Sequence, residues 1–315
     1  MSTDPGSSVR TVAVVGTGLI GASWAAAFLA HGLDVVASDP AEGAEQRLQD
    51  VVARITPDLR ELGAEGEGRL SFVADAAEAV SGADLVQESA PENEALKVDL
   101  LADLDAAARP DVVIASSTSA FPLSRIVVHC ARPERVIVAH PFNPPHLIPL
   151  VEIVGAAPDA EAVGCAAAFY RSIGKVPVVL KKEAIGHMVN RINSALWREA
   201  LSLLQEGIAE AEDIDRAFRF GPGLRWAVMG PFATYHLGGG QGGIRHYMEH
   251  LQPAQQRRWA DMQPPEMDDA FKQRIVDDVL AMAGDRSTTE LEAERDAELR
   301  AILKAVAPLR GGADT

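Results

Sequence analysis

The sequence predicts an α/β fold, in which a doubly wound, mostly parallel sheet forms the N-terminal domain and an all-helical C-terminal domain follows. Up to about residue 180, short apolar runs alternate with helical patterns, as expected for parallel strands joined by helical crossovers. From Ile185 onwards only the helical period remains. We therefore expect two domains, 1–185 and 186–315, for which a chain of 315 residues is long enough.

Eight apolar runs in the first domain are typical of buried strands. They cover residues 12–15, 35–37, 70–73, 84–87, 112–115, 136–139, 151–154 and 176–180. Between them, helices are expected over 22–30 and 91–108, with one or two polar helices over 41–68. In the second domain, helical periods cover residues 185–208, 211–220, 230–236, 243–251, 267–283 and 289–307. Because ligands of such sheets bind beyond the carboxyl ends of the strands, side chains that follow a strand are the first candidates for a site.

The first strand runs directly into a glycine-rich turn that opens a helix. The pattern G-x-G-x-x-G is formed by Gly16, Gly18, Leu19, Ile20 and Gly21. In this setting the glycines make a tight turn, admit a pyrophosphate and let the helix pack on the strand, while the helix N-terminus attracts the anion. Asp39 follows the second strand, where a carboxylate binds the 2′-hydroxyl of a ribose and repels a 2′-phosphate. The pattern indicates NAD rather than NADP, and a glycine-rich turn of another α/β protein is the alternative.

The stretch 136–154 carries the main candidates for proton transfer. His140 ends one apolar run, and Glu152 lies within the next, beyond a proline-rich segment. A carboxylate that meets an imidazole can fix its tautomer and raise its basicity, as a general base requires. From these residues alone, the alternative is a structural histidine near an edge-strand acid.

Composition argues against several classes of partner. The net charge of -16, from 45 acidic and 29 basic residues, argues against nucleic acids and anionic membranes, which require a basic surface. No apolar stretch is long enough for a membrane span, and residues 1–10 lack the apolar core of a signal peptide. Cys130 and Cys165 form no metal or disulfide pattern. We expect a cytoplasmic protein without a metal site.

Together with the glycine loop, four motifs resemble the 3-hydroxyacyl-CoA dehydrogenase superfamily, in its order and spacing and over nearly the whole chain. They are Ser116-Ser117-Thr118-Ser119, His140-Pro141-Phe142-Asn143-Pro144, Leu150-Val151-Glu152 and Gly186-His187-Met188-Val189-Asn190-Arg191. The resemblance implies that His140 is the catalytic histidine and Glu152 its orienting carboxylate. It implies that Ser119 and Asn190 bind the reacting oxygen.

The same resemblance extends the cofactor site beyond the glycine loop. It implies that Glu92 and Lys97 contact NAD and that Asn143 belongs to the active-site wall beside the cofactor. Taken alone, Ser119 could be a helix N-cap and Asn190 a polar residue on a helix surface. Their joint spacing with the histidine and its acid favours the catalytic interpretation.

Within the superfamily, the chain departs from the enzymes that act on CoA thioesters, which carry a lysine-rich helical hairpin after the ribose-binding acid. Residues 41–69 hold seven acidic residues, four arginines and no lysine. This feature is shared with the subgroup of L-carnitine dehydrogenase and L-gulonate 3-dehydrogenase, the lambda-crystallin type. Segments 195–200, 221–231 and 236–243 most resemble carnitine dehydrogenases. The resemblance implies oxidation of L-carnitine to 3-dehydrocarnitine.

A carnitine site needs an acceptor for a trimethylammonium group and a partner for a carboxylate. The candidates for an aromatic face are Trp197, Trp226, Phe232 and Tyr235. Arg225 could pair with the carboxylate. Ordinary helix packing is the alternative for each aromatic residue. The apolar helix faces of the second domain are also compatible with a homodimer, although packing within the domain would give the same pattern.

Other functions stay open at this level. An L-gulonate 3-dehydrogenase, a 3-hydroxybutyryl-CoA dehydrogenase or a polyketide β-ketoreductase would use the same candidate site. An NAD-binding structural protein, as some lens crystallins of the subgroup are, is an alternative from another class. The intact set of Ser119, His140, Glu152 and Asn190 argues against a loss of catalysis.

Overall fold

The structure is a computed structural model of the chain, and it describes residues 9–307. Residues 1–10 were expected to contain no signal peptide, and most of them lie outside this range. The chain forms two compact units, of which the first runs to Arg191 and the second spans Ile192–Val306. The boundary expected at residue 185 lies shortly before this division.

An eight-stranded sheet forms the centre of the first unit, with the strand order β3-β2-β1-β4-β5-β6-β7-β8. All neighbouring strands are parallel except β6 and β7, which are antiparallel. The expected mostly parallel sheet is thereby confirmed. The strands are β1 (Thr11–Val15), β2 (Asp34–Ser38), β3 (Leu70–Val73), β4 (Leu85–Glu88), β5 (Val113–Ser116), β6 (Val136–Pro141), β7 (Leu150–Val154) and β8 (Val176–Val179).

Six α-helices connect these strands. They are α1 (Leu19–Ala30), α2 (Ala44–Glu61), α3 (Ala76–Ser81), α4 (Glu94–Ala107), α5 (Leu123–Ile126) and α6 (Glu161–Ser172). A single helix, α2, occupies the region where one or two were expected, and the chain from there to β3 is irregular. Glycine permits that path, because a Cβ on Gly68 would lie 1.8 Å from the carbonyl oxygen of Leu33.

Apolar side chains cover both faces of the sheet, as a doubly wound fold requires. On one face, Trp24 and Phe28 of α1 stack with their ring centroids 5.3 Å apart, and Tyr170 of α6 lies 5.5 Å from Trp24. On the other face, Leu101 and Leu104 of α4 pack with buried residues of the strands. Full burial of such side chains contributes about 1.5–3 kcal/mol each. This packing holds the strand ends rigidly at the edge where the candidate residues lie.

Between residues 192 and 306 the regular elements are all helices, which confirms the expected all-helical domain. Helix α7 (Val189–Gln205) enters it from the first unit. Leu201, Leu204, Ile214 and Phe271 form its buried centre. The remaining helices are α8 (Ala211–Phe220), α9 (Pro222–Trp226), α10 (Pro231–Gly238), α11 (Gly243–His246), α12 (Gln252–Asp261), α13 (Asp269–Ala283) and α14 (Thr288–Val306), with a π-helical turn at Tyr247–Leu251. None of the helices within residues 9–307 is both long and apolar enough to cross a membrane.

Candidate active site

The candidate residues of the first unit gather at one edge of the sheet. Strands β1, β4, β5 and β6 run parallel, so their carboxyl ends share that edge. The glycine loop follows β1, Ser119 lies shortly after β5, and His140 lies near the end of β6. This is the edge at which ligands of open α/β sheets bind.

The glycine loop has the form that a pyrophosphate requires. Gly16 adopts φ +87°, and a Cβ there would lie 2.6 Å from the backbone nitrogen of Ala90. A Cβ on Gly21 would lie 1.8 Å from the carbonyl oxygen of Gly16, so this glycine allows α1 to approach the loop. A Cβ on Gly18, in contrast, would meet no atom within 4 Å. The backbone at Gly18 is therefore open to a ligand, and no side chain caps the start of α1. These residues fit NAD.

Asp39 lies directly after β2 and is bound to the glycine loop. Its Oδ2 accepts hydrogen bonds from the backbone nitrogen of Thr17 at 2.8 Å and from the Thr17 hydroxyl at 3.1 Å. The carboxylate is half-buried, and Oδ1 accepts from the backbone nitrogen of Ala41. Asp39 thus holds the end of β2 beside the loop, and a carboxylate has lone pairs left for a ribose hydroxyl.

Antiparallel pairing of β6 with β7 brings His140 and Glu152 together. The two residues lie directly opposite each other in the ladder, which places their side chains on one face. Nδ1 of His140 lies 2.9 Å from Oε2 of Glu152. Glu152 has no exposed surface and His140 is 5% exposed. A carboxylate can only accept, so Nδ1 carries the hydrogen and Nε2 of the neutral ring is left as the base.

Backbone donors complete the surroundings of Glu152. Its Oε1 accepts hydrogen bonds from the backbone nitrogens of Met188 at 2.9 Å and Val189 at 3.1 Å, where α7 begins. Burial acts to raise the pKa of Glu152, but the bond from His140 and these two N–H groups more than offset it, so the pKa lies below its ordinary value. Glu152 therefore stays ionised and can stabilise an imidazolium.

The loop that carries Ser119 is held by Glu92 and Asn190. Oε1 of Glu92 accepts from the Thr118 hydroxyl at 2.5 Å and from the backbone nitrogen of Ser119 at 3.2 Å. The side-chain amide of Asn190 donates to the carbonyl oxygen of Ser119 at 3.3 Å. Within residues 9–307, the Ser119 hydroxyl has no hydrogen-bond partner. It therefore remains available to a ligand.

Lys97 takes a different place from the one expected for a residue that contacts NAD. Its ammonium is buried and donates to Oε1 of Glu88 at 2.7 Å and to the carbonyl oxygen of Ala90 at 3.1 Å. Oε2 of the partly exposed Glu92 lies 3.9 Å away. The structure thus engages Lys97 in support of the site, and its direct contact with NAD stays a prediction. Glu88 was not among the residues predicted from the sequence, although an acid that ends an apolar strand is a visible signal.

A second residue missed by the sequence analysis is His187. It is 1% exposed, and its ring centroid lies 5.1 Å from that of His140. Its Nε2 lies 3.0 Å from the carbonyl oxygen of Thr118. The sequence offered one signal for it, because His187 lies three positions before Asn190 in the recognised motif 186–191.

The other expected cofactor residues lie at the same edge of the sheet. Leu19 is exposed and Ile20 half-buried in the first turn of α1. Asn143 is exposed in the segment between β6 and β7, where its bond to Pro144 is cis. Their contacts with NAD stay predictions.

The expected substrate residues all lie in the second unit, and they do not form one aromatic cage there. Trp226 packs edge-on against Phe218 with ring centroids 6.1 Å apart, and Tyr235 lies 4.9 Å from Tyr247. Trp197 lines an apolar cavity, whereas Phe232 is 88% exposed. Arg225 is exposed. A joint role of these residues in binding stays a prediction.

Comparison with known proteins adds the family. Residues 11–184 match the model of the 3-hydroxyacyl-CoA dehydrogenase NAD-binding domain, and residues 186–273 match that of the C-terminal domain. An L-carnitine dehydrogenase of Pseudomonas aeruginosa is 48% identical over 302 residues, which cover 95% of this chain and 94% of that protein. One from Streptomyces griseus is 47% identical over 310 residues, or 97% of this chain and 92% of that protein.

Comparison with solved structures also finds dehydrogenases. A 5-formyl-3-hydroxy-2-methylpyridine-4-carboxylic acid 5-dehydrogenase, described as an NAD-dependent dismutase, superposes with a TM-score of 0.82 at 31% identity over 95% of this chain and 99% of that chain. The (S)-3-hydroxybutyryl-CoA dehydrogenase of Ralstonia eutropha gives 0.60 at 30% identity over 73% and 82%. The expected NAD cofactor and NAD-dependent dehydrogenase class are thereby confirmed. The chain belongs to the 3-hydroxyacyl-CoA dehydrogenase family.

Proposed function

We propose that this protein is an NAD-dependent dehydrogenase that oxidises the 3-hydroxyl group of L-carnitine to give 3-dehydrocarnitine. The observation that carries the reaction type is the buried hydrogen bond between His140 and Glu152 at the carboxyl edge of the sheet, 2.9 Å long. The substrate is supported by the curated relatives, several of which are named L-carnitine dehydrogenase at 44–48% identity over most of the chain.

His140 accepts the proton of the substrate hydroxyl. With hydrogen on Nδ1, held by Glu152, Nε2 takes the proton of the substrate hydroxyl as the C3–H bond breaks and the C3=O bond forms. NAD, when bound, supplies the acceptor for the hydride that leaves C3. In the reverse direction the imidazolium returns the proton to the oxygen. Ionised Glu152 stabilises that imidazolium, because its low pKa keeps it charged beside the ring.

The reacting oxygen needs donors as well as a base. The Ser119 hydroxyl, unpaired within the described residues, and the Asn190 amide are our candidates for those donors. A donor of this kind that is aligned with a developing negative charge contributes about 2.7–4 kcal/mol to the transition state. Glu92 supports Ser119 by accepting from the backbone of its loop.

The charge distribution of residues 41–69 supports a small substrate rather than a CoA ester. Helix α2 and the segment after it lack lysine, and residues 41–69 carry seven acids against four arginines. That surface repels the phosphates of CoA. For the carboxylate of carnitine we propose Arg225, and for its trimethylammonium group an aromatic face drawn from Trp197, Trp226, Phe232 and Tyr235.

The test follows the reduction of NAD at alkaline pH with L-carnitine, D-carnitine, L-gulonate, 3-hydroxybutyrate and 3-hydroxybutyryl-CoA. We expect turnover with L-carnitine and a kcat/KM at least about tenfold lower with each other compound. The Arg225→Ala variant should raise the KM for L-carnitine more than it lowers kcat, because it removes a partner of the carboxylate, a group that takes no part in the proton transfer. Turnover of the thioester alone would contradict the proposed substrate.

We also propose that the protein acts as a homodimer through its second unit, in the cytoplasm. Support for the dimer comes from large apolar side chains that a monomer leaves in water, since such patches mark association surfaces. They include Phe220, Leu224, Val228 and Leu237, each at least 60% exposed. Sedimentation equilibrium should give twice the 33.5 kDa chain mass. A purely monomeric protein at micromolar concentration would contradict this proposal.

A further inference from the structure

Beside His140 lies a second imidazole that the proposed reaction does not use. The rings of His140 and His187 are 5.1 Å apart at their centroids and inclined by 39°. His187 is 1% exposed, so its ring is part of the wall around the proton-transfer residues. A buried polar side chain at this place requires a reason, because burial without full hydrogen bonding is unfavourable.

The protonation of His187 follows from its partner. Nε2 lies 3.0 Å from the carbonyl oxygen of Thr118, which can only accept, so Nε2 carries a hydrogen. Nδ1 is buried and has no hydrogen-bond partner within residues 9–307. Burial lowers the pKa of His187 from its ordinary value, against the bond to Thr118, which raises it. The ring is therefore neutral at neutral pH, with a bare Nδ1. The titratable groups that act on it are His140 of β6, Glu152 of β7 and Glu92 before α4.

The backbone at His187 shows that the surrounding contacts hold the residue in place. Among residues 9–307, it is the only residue other than glycine with a positive φ, at +51°. Such a conformation is unfavourable for most side chains and persists where neighbours fix it. It directs the ring towards Thr118 while the next two residues donate their N–H groups to Glu152.

We propose that His187 is a positioning residue, whose ring packs against His140 while its Nε2–H holds the Thr118–Ser119 turn. One segment of chain then fixes the relative positions of the base, its carboxylate and the hydroxyl that receives the substrate oxygen. Since the ring of His187 is neutral, it adds no charge that would compete with the imidazolium of His140. The kinetic part of this inference rests on the proposed function.

Two substitutions separate the hydrogen bond from the ring. His187→Phe keeps an aromatic ring beside His140 but removes the donor, whereas His187→Gln restores an N–H donor. We expect His187→Phe to lower kcat for L-carnitine on the order of 10- to 100-fold, because a small misplacement of reacting groups has effects of this size. The dissociation constant of NAD should change less than about threefold, and His187→Gln, which restores the donor but not the ring, should recover part of kcat. Ile185→Ala, at a 71% exposed position nearby, is the control for a change in this segment.

Measurements without substrate distinguish a failure of this inference from a failure of the proposed function. Nitrogen-15 spectra of the histidine rings in the free protein should show His187 neutral, with its hydrogen on Nε2, at about pH 7 to 8. Amide hydrogen exchange of Ser119 and Ala120 should be faster in His187→Phe than in the wild type and should slow again in His187→Gln. Equal exchange in all three proteins, or a hydrogen on Nδ1 alone, would overturn the proposal. Absence of carnitine turnover in the wild type would overturn only the proposed function.

Discussion

At the scale of single residues, the chemistry depends on two side chains that are both removed from water. His140 and Glu152 face each other across an antiparallel ladder, and the acid has no exposed surface. A buried pair of this kind is weak evidence for stability, because desolvation offsets the attraction between the charges. The pair instead fixes the tautomer of His140, which leaves Nε2 as the base.

Removal of either partner should therefore affect turnover more than cofactor binding. We expect His140→Ala to lower kcat by about 10²–10⁴-fold, the usual contribution of a general base. Glu152→Gln should lower it less, since the ring remains, and NAD should bind either variant within about threefold of the wild type. Stopped-flow kinetics and NAD titration measure these effects. The control is His129→Ala, because His129 lies 3.8 Å from Asp99 in an exposed pair on the surface. Wild-type kcat in both site variants would contradict the assignment.

The pH dependence of stability follows from the low pKa of Glu152. A carboxyl group whose pKa is lowered in the folded state stabilises that state above its unfolded pKa, near 4.5, and loses this contribution as the pH falls through the folded value. Below about pH 4.5, the free energy of unfolding of the wild type should therefore fall more steeply than that of Glu152→Gln. Urea titrations over a pH series give the two slopes. Parallel curves would show that Glu152 is not preferentially ionised in the folded protein.

At the scale of secondary-structure elements, the turn between β1 and α1 assigns separate roles to its glycines. Gly21 faces the carbonyl of Gly16 at a distance that excludes a Cβ, whereas Gly18 faces open space in a conformation that alanine can adopt, φ −65° and ψ −165°. Gly18→Ala should therefore keep the melting temperature of the wild type and raise the dissociation constant of NAD by on the order of tenfold or more. Gly21→Ala should lower the melting temperature, because the added Cβ would push α1 away from the glycine loop. Unchanged NAD affinity in Gly18→Ala would show that the pyrophosphate does not approach there.

Helix α4 carries two ion pairs that differ in burial. Lys97 pairs with Glu88 at 2.7 Å with both side chains buried, and Arg125 of α5 pairs with Glu94 at the same distance with 58% and 32% exposure. Lys97→Met leaves the Glu88 charge buried and should lower the free energy of unfolding by about 3–5 kcal/mol. Arg125→Met, the matched control, should lower it by no more than about 1 kcal/mol. Urea unfolding at neutral pH compares the two. Equal losses would show that burial does not set the energy of these pairs.

At the scale of the whole molecule, sequence patterns predicted the strands, the all-helical second part and the His140–Glu152 pairing. Apolar periodicity encodes the strands and helices locally, whereas the His140–Glu152 pairing was implied by the resemblance of their motifs to the family. The antiparallel direction of β7 against β6 was not predicted, although the connection from Pro141 to Leu150 is too short for a parallel crossover. The support that Lys97 and His187 give to the site was not predicted either. Glu88, the partner of Lys97, belongs to no recognised motif, and Thr118, the partner of His187, is distant from it in sequence. The aromatic candidates Trp197, Trp226, Phe232 and Tyr235 were chosen by residue type, and residue type does not determine which side chains meet in space.

The most direct test of the whole account traces the hydride. L-carnitine that carries deuterium at C3 is incubated with NAD and the wild-type protein, and the reduced cofactor is analysed by mass spectrometry. The account predicts one deuterium in each NADH formed, a slower reaction than with unlabelled carnitine if hydride transfer limits the rate, and negligible product with His140→Ala. Reduced cofactor without deuterium, or no reduction by the wild type under conditions where NAD binds, would contradict it.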